Sequence, residues 1–517
     1  MAPPDHTVGT KMGANPQAQR NQLKPNAIGL VGVVFMVVAF SAPITAMTGN
    51  LPVAVGFGNG SGAPAGFIIA TIVLAIFSVG FVALAKHITA AGAFYTFVSR
   101  GLARPFGLAA GVMSMITYMT MEAGLVGIFA AFCQSTFEAQ LGVDIHWMYF
   151  AVLALVVIGL LAYKDISLAA KVLGLVLICE IALLSIMAFG VLFQGGGPDG
   201  LMLNSINPLS AFDTNGVDGG VIGLGLLFAF WSWVGYESTA IYGEESKDPK
   251  RIVPRATMIA VIGIGVFYTF ISWMAVAGSG ARHAIELASG SDPFELLYSP
   301  MREFVGGWGV IGFQWFVLGG SFACALAIHN SATRYLYAFG RDGLLPRKLG
   351  AAHHRHQSPH IASVTQSVFA AVLIVVCWIT NVDPYATLFV LVAIMATVSL
   401  LLVQTMCSVA AISYFHIRKQ HPETAHWWRT MVAPIIGGAG MLYVCYLLLT
   451  NMESAAGAAS ETLFFKLIPW LVLLMLVGSV AVALYLRRAR PEIYGRIGST
   501  VFAEPGTAPK AEELTSR

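Results

Sequence analysis

The chain has 517 residues, 57% of them hydrophobic and 11% charged, with a formal net charge of +3. A typical soluble protein is about 25% charged, so these charges are too few to cover a water-facing surface. The composition excludes a string of soluble domains and implies an all-α polytopic membrane protein, rich in glycine as membrane helices are.

In chain order, residues 1–26 are polar, carry Lys11, Arg20 and Lys24, and lack an apolar core. They read as a disordered cytoplasmic tail without a cleaved signal peptide. The first apolar segment then serves as a retained signal anchor. Residues 25–85 hold no charge and are divided by the turn-rich stretch Gly56–Pro64. A spanning helix needs about 20 residues, so this stretch predicts two helices. Continuing the count gives twelve spans, at about 28–56, 64–86, 106–134, 147–163, 167–194, 220–243, 255–279, 307–338, 362–380, 385–415, 428–450 and 463–486. A cytoplasmic tail, 487–517, follows. No separate soluble domain is expected, and the loop around 195–219 is polar and unpatterned.

The small net charge hides an asymmetry. Even-numbered loops and both termini hold 26 of the 29 Lys and Arg, leaving Arg282, Arg302 and Lys466 on the other side. The balance is +15 on one side, −9 on the other and −3 in the membrane. The positive-inside rule places both termini in the cytoplasm.

Glu122, Glu180 and Glu237 lie well within spans, whereas no lysine or arginine sits deep in the middle of one. A carboxylate at the bilayer centre costs roughly 2.5–3.5 kcal/mol, so such groups face a bundle interior or a wet cavity. Glu180 and Glu237 are candidates for proton or cation coupling. Glu122, with Tyr118 one turn before it, is a candidate for holding a substrate ammonium. The embedded charge is wholly negative, which suits protons, Na⁺ or a cationic solute.

Two spans are interrupted. Ser41-Ala42-Pro43-Ile44-Thr45 sits within the first, and Trp231-Ser232-Trp233-Val234-Gly235-Tyr236-Glu237 within the sixth. Proline removes an amide donor and clashes with the preceding turn. Unwound backbone is tolerated in a membrane only against protein or a wet cavity. Gly/Pro-interrupted helices at matching places in two halves point to a solute site. Freed amides there would receive a carboxylate and freed carbonyls an ammonium, so an amino acid fits both. The candidate binding residues are Ser41, Ala42, Pro43, Ile44, Thr45, Tyr118, Glu122, Trp231, Ser232 and Gly235.

Other signals carry no site. The histidines of 353–360 read as a basic loop rather than a metal cluster. Gly56–Gly62 precedes no strand–helix unit, so it is no nucleotide cradle. The six cysteines lie in apolar runs without CxxC spacing. No catalytic constellation, cofactor, metal or nucleic-acid partner is expected.

Four stretches resemble the amino acid–polyamine–organocation superfamily of secondary transporters. They are Gly92–Gly101, Phe230–Ser238, Glu244–Ala256 and Asn330–Pro346. The resemblance implies a LeuT-like fold. Its parts are a five-plus-five inverted repeat, about 27–194 and 220–415, with two extra C-terminal helices in 428–486. It implies a permease of the cell membrane that imports an amino acid by alternating access, coupled to H⁺ or Na⁺. By the same resemblance Trp231 falls at a substrate-gating aromatic and Glu237 at a proton-sensing glutamate. Glu180 stands near a position where a related transporter has a lysine, so a lysine mechanism does not carry over. Ser41-Ala42-Pro43 replaces the usual Gly-Ser-Gly-like break, a variant similar to the putrescine-importer branch. A polyamine importer or an exchanger therefore stays open as an alternative. An enzyme, sensor or channel fits less well.

Overall fold

The computed structural model describes residue 23 and residues 26–499, except 164–165 and 354–355. The expected N-terminal tail, but for its last residues, and residues 500–517 of the C-terminal tail lie outside the described residues. Within them the backbone is helical, and the only β pairing is two isolated bridges.

The first expected span is broken in two. Helix α1 (Leu30–Ser41) stops at Ala42, and α2 (Pro43–Val53) restarts immediately. Proline disfavours the helical conformation in the residue before it, and Ala42 takes a left-handed one, φ +43°. A wide π-helical turn (Ala54–Asn59) and a short 3₁₀ turn lead to α3 (Ala63–Ala85). Then come α4 (Ala93–Gly101), the long α5 (Arg104–Leu141), α6 (Trp147–Tyr163) and α7 (Ile166–Phe193). The sixth expected span keeps only α8 (Ile222–Trp231) and the single turn α9 (Ser238–Ile241), with turns between them. Helix α10 (Pro249–Ser279) follows. The next loop, unremarked in the sequence, folds into two amphipathic helices, α11 (Ala281–Ala288) and α12 (Glu295–Phe304). The chain continues through α13 (Gly307–Asp342), α14 (His360–Ile379), α15 (Val390–Ile412), α16 (Ala433–Thr450), α17 (Met452–Ala456), α18 (Leu463–Leu473), α19 (Ser479–Ala489) and α20 (Pro491–Arg496).

Among the described residues, nine helical stretches are long and apolar enough to cross a membrane. One of them, Leu30–Ala85, holds two expected spans, and α6 and α8 are shorter apolar helices. Large apolar side chains such as Leu153, Val156 and Leu160 point outward from α6, as a lipid-facing surface requires. All six cysteines are free.

Loop contacts define two faces. On the basic face Arg334 grips Glu245 at 2.7 and 3.0 Å, with both side chains buried. Glu245 also accepts the amides of Ala27 and Ile28 through its backbone carbonyl. Arg341 pairs with Glu244 at 2.8 and 3.0 Å, and Glu244 takes the amide of Ala91. The start of the expected tail is docked: Ile497 is buried, and the Gly498 amide reaches the Tyr95 hydroxyl and Asp342. On the acidic face Asn59 donates to the carbonyls of Ala211 and Asp213, and Asp199 accepts the Ala281 amide.

Candidate substrate site between the broken helices

The two breaks meet. Ser41, Ala42 and Thr45 from the first and Trp231, Ser232 and Val234 from the second line one small cavity. Phe40, Ala46 and Asn50 complete the α1–α2 wall, Met121 and Leu125 come from α5, Cys324 and Ile328 from α13, and Phe389 stands just before α15. Its volume is about 30 Å³, room for one or two waters and too little for any amino acid. The walls must part to admit a solute.

Aromatic rings close the cavity toward the acidic face. Trp231 meets Phe389 edge-on at 6.0 Å, Phe389 stacks on Tyr385 at 6.1 Å, and Tyr385 meets Phe294 at 5.6 Å. The Tyr385 hydroxyl donates to the Gly49 carbonyl at 3.1 Å and ties these rings to α2. Toward the basic face lie Phe40, Tyr118 and Tyr335, with ring centroids 5.8 and 5.6 Å apart in succession.

Polar groups at the breaks are mostly engaged. The Asn50 amide nitrogen donates to the Ser232 hydroxyl at 2.8 Å, tying α2 to the end of α8. The Ser41 carbonyl accepts from Tyr268 at 2.6 Å and the Phe40 carbonyl from the Cys324 thiol at 2.9 Å. The expectation that freed carbonyls of this break await an ammonium is corrected at these two positions. Two buried cavity-lining atoms stay unpartnered: Asn50 Oδ1 and Thr45 Oγ1. Buried polar atoms without a partner are uncommon and call for an explanation.

The remaining sequence candidates stand around the cavity rather than in it. Pro43 opens α2. The Glu180 carboxyl stands beside Ile44, at the expected carboxylate cradle. Gly235 lies at φ +110° against Phe40 and has no side chain to offer. Tyr118 sits behind Phe40 and donates a short hydrogen bond to Glu237 Oε1, while Glu237 Oε2 accepts the Gly235 amide at 3.1 Å. Glu122 faces away from the cavity. Its two oxygens are each 3.0 Å from His329 Nδ1, and Gln366 donates to Oε2 at 2.7 Å. A carboxylate so enclosed leaves no room for a substrate ammonium.

Sequence reasoning passed over Asn50, Phe40, Cys324 and Phe389. Asn50, an amide between Gly49 and Pro52 in an apolar run, was detectable. Phe389 lies in an unbroken apolar stretch that gives no sign of its role.

Broken helices meeting at a small central cavity, within an apolar helical body, suit a membrane transport protein. The amino acid permease family model matches residues 28–477, and the chain belongs to that family. It is 24% identical over 417 residues to the low-affinity putrescine importer PlaP of Escherichia coli K12, covering 79% of this chain and 85% of that one. It is 26% identical over 232 residues to the branched-chain amino acid permease BcaP of Bacillus subtilis 168, covering 45% of each. A third relative, the uncharacterized transporter Rv1999c of Mycobacterium tuberculosis H37Rv, is 32% identical over 169 residues, 31% of this chain and 35% of that one. The protein is a multi-pass membrane permease for a small molecule, not an enzyme.

Proposed function

We propose that the protein imports an amino acid across the cell membrane by alternating access, as a twelve-span carrier with a five-plus-five repeat, two further helices and both termini in the cytoplasm. The unpartnered Asn50 Oδ1 and Thr45 Oγ1, at the meeting of both broken helices, carry this reading. Asn50 Oδ1 accepts a hydrogen bond from an ammonium, and the Thr45 hydroxyl can donate to a carboxylate. Trp231 and Phe389 form the outer lid, and Ser41, Ala42 and Ser232 shape the floor. Glu237 and Glu180 hold the two broken helices and take up the coupling proton; Na⁺ is the other candidate ion.

Polyamine uptake is the second reading, favoured by the importer relative that aligns over most of both chains. Against it, no carboxylate lines the cavity among the described residues, and a diamine without one would place charge opposite neutral groups. Uptake into proteoliposomes decides. Labelled leucine competed by neutral amino acids but not by putrescine supports the first reading, and the reverse pattern overturns it.

A further inference from the structure

We propose that Glu122 and His329 form a proton-binding pair, additional to Glu180 and Glu237, whose charge state moves with the transport cycle. The inference rests on the permease reading above.

Both side chains are fully buried, Glu122 from α5 and His329 from α13. His329 Nδ1 faces both carboxylate oxygens at 3.0 Å, and Nε2 lies 2.8 Å from the Ser363 hydroxyl of α14. Gln366, also on α14, spends its amide nitrogen on Glu122 Oε2 and the Met119 carbonyl. A neutral imidazole donates from Nδ1 to the carboxylate and accepts at Nε2 from Ser363. An imidazolium donates from both nitrogens, and Ser363 accepts instead. A hydroxyl serves either way, so both ring nitrogens keep a partner whether the proton is present or not. The site's net charge then changes between −1 and 0.

The other ionisable groups on the packed helices are engaged elsewhere. Tyr118 goes to Glu237, Arg334 to Glu245, Arg341 to Glu244 and Asp342 to Tyr95, and Glu180 stands beside Ile44 at the start of α2. Two groups are exceptions: Tyr335 on α13, whose buried hydroxyl has no partner, and His360. His360 opens α14, one turn before Ser363, with Nδ1 buried and unpartnered. Its ring lies 5.1 Å from His353 in the loop on the basic face. Residues three apart share a helix face, so His360 marks the entry. A proton from water on that face adds to the Ser363 oxygen as the Ser363 hydroxyl proton passes to Nε2, and the reverse transfer releases it.

The link to transport is positional. Met121 and Ile328, the neighbours of Glu122 and His329, line the central cavity. A change in the pair's attraction bears on two cavity walls at once.

The test uses the full chain in proteoliposomes with labelled leucine and labelled putrescine. Wild type should show counterflow without a pH gradient and accumulation with one. E122Q and H329Q should lose gradient-driven accumulation yet retain counterflow. S363A, which leaves the pair intact, should slow accumulation and shift its pH profile. Variants that still accumulate solute overturn the inference. So do folded variants that lose counterflow and accumulation together, since that is the mark of a merely structural contact. Wild type inert in counterflow overturns the transport reading and this inference with it.

Discussion

Gly235 packs so closely on Phe40 that a β-carbon there would stand 1.8 Å from the Phe40 ring. The break in the sixth expected span and the end of α1 therefore touch through a glycine that nothing larger can replace. The contact lies beside the cavity and couples the two interrupted segments directly.

Gly235→Ala meets both the ring and a φ of +110° that L side chains rarely adopt. Strain of this kind costs about 1–3 kcal/mol before any clash. Loss of uptake and a lowered melting temperature are expected, with partial recovery in Phe40→Ala/Gly235→Ala. Unchanged uptake in the single variant would show that the two segments need not stay in register.

Tyr118 donates its hydroxyl to Glu237, whose other oxygen holds the Gly235 amide. A hydrogen bond to a charged acceptor contributes about 1.5–3 kcal/mol. Tyr118→Phe should lower the transport rate by about tenfold or more, because a tenfold change corresponds to about 1.4 kcal/mol. The pH dependence of uptake should move as well, and an unaltered profile would remove Glu237 from coupling.

The pair of Arg334 and Glu245 is a stability feature of the basic face. Removing one partner of a buried ion pair costs about 3–5 kcal/mol, whereas an apolar replacement of both can be neutral. Glu245→Gln and Arg334→Met should each lose monodisperse protein in detergent. Arg334→Met/Glu245→Leu should recover part of it, and a double variant no better than the singles would contradict the pairing.

A clasp on the same face is sensitive to acid. His87, in the loop after α3, stacks on His421 at 4.1 Å and shares a hydrogen bond with Thr424. Burial first, then the neighbouring His421, push the His87 imidazole below its ordinary 6.5. A histidine whose folded value is depressed binds protons better unfolded, so its contribution is present above about 6.5 and is lost as pH falls below that. Hydrogen exchange in 84–90 and 420–425, corrected for intrinsic rate, should quicken below that pH. Exchange flat with pH would exclude the switch.

The breaks were legible because proline and glycine act on the local backbone, as at Pro43 and Gly235. The three membrane carboxylates were also visible, since charge in an apolar run is conspicuous. Their partners were not. A glutamate on α5 does not announce which side of that helix it faces, and Glu122 turned out to belong to His329, an unremarked histidine in the apolar run of α13. Long-range tertiary contacts such as Phe389 with Trp231, or Gly498 with Tyr95, have no local signature. The docked segment Pro491–Gly498 looked like tail because its contacts come from other parts of the chain.

The measurement that bears most directly on the central claim is counterflow by the purified protein in liposomes, comparing wild type with Asn50→Ala and Trp231→Ala. Preloading with unlabelled leucine should drive transient, saturable uptake of labelled leucine by wild type, and Asn50→Ala, which removes the unpartnered acceptor, should raise the half-saturating concentration. Trp231→Ala should weaken closure and lower the rate. Flux that neither saturates nor exchanges, or that is indifferent to both substitutions, would contradict a carrier whose substrate binds between the two broken helices.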